Sequence, residues 1–158
     1  MSIELVPVLA SEAERITVMM PDYLQEMAEY TEAPRDSDGH LTYPYLAHYW
    51  REPDRFPFTM SNEGVDCGFA LVRRLIDPDS GEDYHSLAEF YIAQDFRRQK
   101  LGSQAASTVL QTFAGSWEVS VLKTNLPARN FWQRTLIEIC PDLTCQDVGK
   151  SFRYDLVV

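Results

Sequence analysis

The segment from Glu89 to Ala105, EFYIAQDFRRQKLGSQA, gathers the residue types best suited to holding an anion. An apolar strand pattern runs into three cations, Arg97, Arg98 and Lys100, and then directly into a helix pattern. A helix start offers unpaired backbone N–H groups and the positive end of the helix dipole. Gly102 removes a Cβ where backbone would have to come close to a ligand. The chain as a whole is acidic, with 14 Lys+Arg against 24 Asp+Glu and a formal net charge of −10, so this turn reverses the local sign. Together these features describe a seat for a phosphorylated ligand.

The elements that must position this turn follow from pattern. Residues Ile3 to Val8 read as a first strand, and Ser11-Glu12-Ala13-Glu14 has the spacing of a capping box. The helix that box opens carries Ile16, Met19, Met20, Leu24 and Met27, and Pro21 should kink or divide it. Thr31 to Leu41 is a polar loop, and Thr42 to Glu52 reads as a second short helix with Pro44 near its start. Phe56 to Ser61, the turn Asn62-Glu63-Gly64 and Val65 to Ile76 form a hairpin. A turn over Asp77 to Asp83 leads to the strand His85 to Ala93, and a helix from Lys100 to Phe113 stops before Gly115. Trp117 to Lys123 alternates as a strand, Pro127 to Thr135 is a short helix, and at least one strand lies between Leu143 and Val158. The order β-α-α-β-β-β-α-β-α-β describes a mixed α/β fold, with residues 1–158 as a single domain.

Bulk properties exclude several classes. A chain of 158 residues that is 45% hydrophobic can bury a sizeable core. No apolar run approaches membrane-spanning length and MSIELVPVLASEAER lacks a signal pattern, which points to a cytoplasmic protein without a membrane partner. The acidic balance argues against nucleic acid, whose binding depends on neutralising phosphates over a broad surface. Cys67, Cys140 and Cys145 make no disulfide framework, and His40, His48 and His85 are too scattered for a metal cluster, so no metal is expected.

Two motifs carry a resemblance. Tyr91 to Gly102, YIAQDFRRQKLG, resembles the R-x-x-G-x-G/A segment of the GNAT superfamily of acyl-CoA-dependent N-acyltransferases, laid out as Arg97, Lys100 and Gly102. Asn125 to Trp132, NLPARNFW, resembles that superfamily's N-x-x-A-x-x-F-Y segment, and one helix and one strand separate the two motifs as they do in that family. AEFYI, FAGSWEV and NFWQ further resemble a poorly characterised bacterial branch of predicted acetyltransferases. The resemblance implies a central, mostly antiparallel mixed sheet flanked by helices, with acetyl-CoA as co-substrate and a small-molecule or peptide amine as acceptor. Dimers are common among similar proteins, so a homodimer is a compatible assembly.

For the site, the resemblance implies that the diphosphate of coenzyme A lies on backbone N–H groups of Arg97, Arg98, Gln99, Lys100, Leu101, Gly102 and Ser103. The pantetheine arm would pair along Phe90 to Ile92, Phe131 and Trp132 would wall the thiol end, and Asn125 would bond near it. Glu89 occupies a position from which some relatives deprotonate an ammonium, and period-two alternation puts Tyr91 on its face as an acid or substrate contact. Tyr154 is a further acid by residue type alone, and His85 could titrate near neutrality. Tyr43, Tyr45, Tyr49 and Trp50, with Asp36 and Asp38, would suit a cationic acceptor, but an aromatic face packed on the sheet is the simpler reading. The alternative for Arg97 and Arg98 is a solvated basic turn, which the flanking pattern disfavours, whereas Glu89 equally fits an exposed or structurally paired strand residue.

Two positions depart from the family pattern. Lys100 stands where the first motif glycine usually lies, and a positive φ there would strain it. Trp132 stands where many relatives carry a tyrosine, and an indole cannot protonate a leaving thiolate. These departures keep open a catalytically silent acyl-CoA-binding or sensing module, beside the N-acetyltransferase and a pure protein-interaction domain.

Overall fold

One seven-stranded sheet organises the chain, in the order β1-β2-β3-β4-β5-β7-β6. The structure is a computed structural model and describes residues 2–97 and 99–158. The strands are β1 (Ile3–Pro7), β2 (Arg55–Asn62), β3 (Val65–Ile76), β4 (Asp83–Ile92), β5 (Ser116–Leu122), β6 (Thr144–Asp147) and β7 (Ser151–Val157). The helices are α1 (Glu14–Thr17), α2 (Met20–Met27), α3 (Leu101–Thr112) and α4 (Leu126–Ile139). Every neighbouring pair of strands is antiparallel except β4 and β5, which run parallel across the α3 connection. This is the mixed, mostly antiparallel sheet flanked by helices that the residue pattern implies.

Local chemistry accounts for most element ends. Pro21 divides the first helical region into α1 and α2, sitting in the first turn of α2 where its missing N–H is harmless. The β2–β3 hairpin turns through Glu63 at φ 52° and Gly64 at φ 81°, two left-handed residues whose twist matches the strands. Three details differ from expectation. The turn after β1 is a 3₁₀ turn, Ala10–Glu12, in which Glu12 accepts from the Leu9 N–H, two residues ahead of the Ser11–Glu14 box. Thr42 to Glu52 contains only a 3₁₀ turn, Leu46–Trp50, held by the Trp50 indole N–H donating to the Val8 carbonyl at 2.8 Å. Helix α4 runs on to Ile139, with Thr135 and Leu136 buried in the added turn. The C-terminal region forms two strands, β6 and β7, joined through Gly149 at φ 87°.

The sheet buries a different core on each face. On one, α3 presents Ala105, Ala106, Val109 and Leu110, all fully buried, against Ala70, Val72, Leu87, Trp117 and Val119. On the other, Ile16, Met20, Tyr23 and Leu24 pack against Phe69, Leu71 and Tyr91.

One irregularity in β4 decides which face receives Glu89. Leu71 pairs with Glu89 but Val72 pairs with Leu87, so Ala88 is an extra residue in β4, a bulge. Beyond it, Glu89 and Tyr91 face α2. Before it, Leu87 points into the α3 core instead of sharing their side, as strict alternation would require.

Candidate active site

The ladder between β4 and β5 spans only His85 to Leu87 against Trp117 to Val119. Past Leu87 the two strands part, while β4 stays paired with β3 as far as Ile92 against Gly68. The gap opens into a cleft of about 740 Å³ between the end of β4, the start of α3, and α4, with α2 along one side. Phe90, Tyr91 and Ile92 form its floor, and Lys100, Gly102 and Ser103 bring the first turn of α3 to its mouth. Asn125, Phe131 and Trp132 supply the α4 wall. Trp132 meets Phe90 and Phe131 edge to face, each with ring centroids 4.9 Å apart.

The start of α3 has no side-chain cap, so its leading N–H groups are available to an anion. Lys100 immediately precedes it at φ 60°, ψ 9°, the left-handed region. The position that glycine usually holds therefore demands glycine geometry, and lysine adopts it under strain of about 1–2 kcal/mol. Gly102 has an ordinary φ, and a Cβ there would lie 3.0 Å from the Phe131 ring, so the missing side chain serves α3–α4 packing. Gly102 also lines the cleft, where close approach to a ligand is the expected role, so packing is a second reason for its missing side chain. Leu101 is fully buried, backbone included, and lies outside the cleft lining, as does Gln99, which donates to the Asp95 carbonyl at 3.4 Å. Arg98 lies outside the described residues.

Arg97 lines the cleft, but its guanidinium is committed. It donates to both carboxylate oxygens of Glu26 at 2.5 and 2.8 Å, and its Nε donates to the Ile92 carbonyl at 2.8 Å. This ion pair raises the Arg97 pKa and ties α2 to the turn after β4. Asn125 is the N-cap of α4, its Oδ1 accepting from the Ala128 N–H at 3.1 Å, which leaves its amide nitrogen free to face the cleft.

Glu89 does not line the cleft; it lies behind Tyr23, which does. The Tyr23 hydroxyl donates to Glu89 Oε2, and Tyr43 reaches the same carboxylate. Burial pushes the Glu89 pKa up to about 7, and the two hydroxyl bonds hold it from rising further. Tyr91 packs beside Tyr23 with centroids 5.6 Å apart, and burial with the nearby Asp22 and Glu26 charges raises its pKa. A group that titrates near neutrality at the end of an open strand edge can take up a proton from an ammonium.

The candidate residues Phe90, Tyr91, Ile92, Arg97, Lys100, Gly102, Ser103, Asn125, Phe131 and Trp132 thus share one cleft. A profile of the acetyltransferase (GNAT) family matches residues 23–136, the stretch that encloses it. The chain belongs to the GNAT acetyltransferase family.

Solved structures agree with the GNAT fold. An acetyltransferase from Thermus thermophilus superposes with a TM-score of 0.69 at 19% identity, covering 100% of this chain and 98% of that one. A GNAT-family acetyltransferase from Streptococcus agalactiae 2603 gives a TM-score of 0.75 at 9% identity, covering 99% and 95%. An aminoglycoside acetyltransferase from an uncultured soil metagenomic sample, in complex with trehalose, gives 0.64 at 15% identity, covering 93% of each chain. None of the curated protein sequences compared with the chain matches it. Membership of the GNAT family supports acyl transfer from acetyl-CoA in general terms.

Other expected residues lie elsewhere. Tyr154 is buried in the core on β7 and takes no part in the cleft lining. His85 stacks on Phe113 with centroids 4.2 Å apart, and burial lowers its pKa, so it is a packed residue. Tyr49 and Trp50 belong to the packing of the α2 face, with Tyr49 buried. On the exposed loop, Asp36, Asp38 and His40 come together, but Asp36 Oδ1 already accepts from the backbone N–H groups of Asp38 and His40. Among the described residues no helix is long and apolar enough to cross a membrane. Residue pattern also held an unread signal: Tyr23, Glu26, Met27 and Tyr30, at i, i+3, i+4 and i+7, all line the cleft.

Proposed function

We propose that this protein is an N-acetyltransferase that moves an acetyl group from acetyl-CoA to an amine by direct attack. The observation that carries the reading is the parting of β4 from β5, which leaves the open edge of Phe90 to Ile92 between an uncapped helix start and a carboxylate of pKa about 7. The residues present fit coenzyme A: N–H donors at the start of α3, an unpaired strand edge beside them, and an aromatic wall beyond. When bound, acetyl-CoA supplies the activated acyl group. The leading N–H groups of α3 would hold its diphosphate, helped by the Lys100 ammonium. The strand edge would align the pantetheine arm, and a backbone N–H of Tyr91 or Ile92 would stabilise charge on the carbonyl oxygen. Glu89 acts as the general base that turns an ammonium into a nucleophilic amine. Tyr91, kept neutral by its raised pKa, is the proton donor that the Trp132 indole cannot be.

A second reading, a catalytically silent acyl-CoA-binding or sensing module, draws on Trp132 and on the strained Lys100. Thiol release from acetyl-CoA, measured over polyamines, amino acids, aminoglycosides and peptides, decides between them. Release above the hydrolysis background with one class supports transfer and names the acceptor. Calorimetric binding of acetyl-CoA with no release from any class supports the silent module, and a flat titration defeats both.

A further inference from the structure

We propose that Tyr23 relays a proton between the amine acceptor and Glu89. The proposal rests on the acetyltransferase reading and adds a residue to it.

The geometry puts Tyr23 on the path from this cleft to the half-buried Glu89. Glu89 is absent from the cleft lining, whereas Tyr23 lies in it and donates its hydroxyl to Glu89 Oε2. Tyr23 is only 7% exposed and is wedged edge to face against Phe69 and Tyr91, at 5.3 and 5.6 Å, so its ring cannot swing aside to admit an amine to the carboxylate. A proton leaving the cleft for Glu89 therefore meets the Tyr23 oxygen first. Tyr43 touches the same carboxylate without lining the cleft, which makes it a positioning residue.

The step balances without another reactant. As the ammonium N–H bond breaks, its proton bonds to the Tyr23 oxygen while the phenolic proton leaves for Glu89 Oε2. Tyr23 ends as a neutral phenol, Glu89 as a carboxylic acid, and the acceptor as a free amine ready to attack. Burial and the Glu89 charge push the Tyr23 pKa well above its ordinary range, so a concerted transfer that never leaves phenolate behind suits this phenol. The other groups around the pair are Tyr43, Tyr91 and Glu26, with Tyr49 and Arg55 behind Tyr43.

The test pairs turnover with a titration of the folded protein. Turnover of acetyl-CoA with n-butylamine is measured for wild type, Tyr23→Phe, Tyr43→Phe and Glu89→Gln. The Glu89 carboxyl titration is followed by ¹³C NMR, and the Kd for coenzyme A by calorimetry. Expected for Tyr23→Phe are a fall in kcat of about 10-fold or more, a Kd within twofold of wild type, and a higher Glu89 midpoint from the lost hydroxyl bond. Tyr43→Phe raises the midpoint too but keeps most of its kcat. The relay is overturned if Tyr23→Phe keeps kcat within threefold, if its Glu89 midpoint does not move, or if kcat and coenzyme A affinity fall together as packing damage would cause. Absence of wild-type turnover with n-butylamine and with every class of the acceptor screen would instead count against acyl transfer itself, and full activity in Glu89→Gln against the base.

Discussion

The two ends of the cleft are prepared in opposite ways. At the base end, Glu89 is set on the α2 face by the Ala88 bulge, half-buried, and held by the neutral Tyr23 hydroxyl. Nothing there must break before a proton can move. At the anion end, Arg97 is neutralised by Glu26 and Lys100 sits in a strained backbone conformation. Arg97 and Lys100, the described cations of this turn, are therefore poorly placed to dominate binding. On the proposed mechanism the difference teaches that proton transfer would start from a preorganised pair, whereas anion binding, among the described residues, would draw on backbone N–H groups, the Lys100 ammonium and whatever the Glu26–Arg97 pair yields.

The largest expected effect breaks the prepared end. Glu89→Gln keeps the shape and removes the base, and kcat should fall by about 10²–10⁴-fold with coenzyme A affinity unchanged. In wild type the rate should rise with pH through about 7, as Glu89 ionises, and the variant should lose that limb. Stability should move the other way. Glu89 has a folded-state pKa of about 7 against an ordinary 4.5, so the folded protein holds the proton more tightly than the unfolded chain. Wild-type stability therefore falls as pH rises from about 4.5 to about 7 and is flat above. Urea unfolding at pH 5 and pH 8 should show Glu89→Gln gaining on wild type at the higher pH, by on the order of 3 kcal/mol at most. An equal gap at both pH values would mean that Glu89 is not buried as an ion.

A smaller effect sharpens the other end. Glu26→Gln removes the carboxylate that occupies Arg97 and that a diphosphate in the cleft would face. Both side chains are more than a third exposed, so losing the pair costs about 1 kcal/mol of stability or less. Calorimetry should find the Kd for coenzyme A lowered by about 3- to 10-fold, since roughly 1 kcal/mol of competition and repulsion is relieved. A raised Kd would show instead that Glu26 holds Arg97 in its useful pose, and the contrast between the two ends would narrow.

What could be read from the residues was whatever depends on near neighbours. Pro21 dividing a helix, the turn at Glu63-Gly64 and the strand-to-helix passage around Lys100 are local matters of backbone geometry. The placement of Glu89 beside Tyr91 follows from alternation, yet the switch of Leu87 to the opposite core does not, because a bulge has no fixed residue signature. The pairs that set the site's chemistry are distant in sequence: Tyr23 lies 66 residues from Glu89, and Glu26 lies 71 from Arg97. Pattern reading gave the interior of α2 to Leu24 and Met27 and passed over Tyr23, Glu26 and Tyr30, which line the cleft beside Met27. Gly102 shows the same limit, since its neighbour Phe131 belongs to another helix.

The smallest effect concerns Lys100, where strain and charge pull apart. Its φ of 60° is left-handed, which costs lysine about 1–2 kcal/mol relative to an unstrained residue. Glycine adopts that backbone freely, but it also loosens the unfolded chain, which returns about 0.4–1 kcal/mol of the gain. Lys100→Gly should therefore raise stability by about 0.5–1 kcal/mol, a Tm increase of about 2 °C for a chain of this length. Lys100→Asn, which tolerates the left-handed region and lacks the ammonium, should share part of the rise. Coenzyme A affinity then separates two accounts of why lysine is there. If the ammonium meets a phosphate, both variants bind about 10-fold more weakly despite the relaxed turn, the loss of one charge-assisted hydrogen bond. If backbone N–H groups alone hold the diphosphate, Lys100→Gly binds as tightly as wild type or better, and the anion end is fully a backbone site.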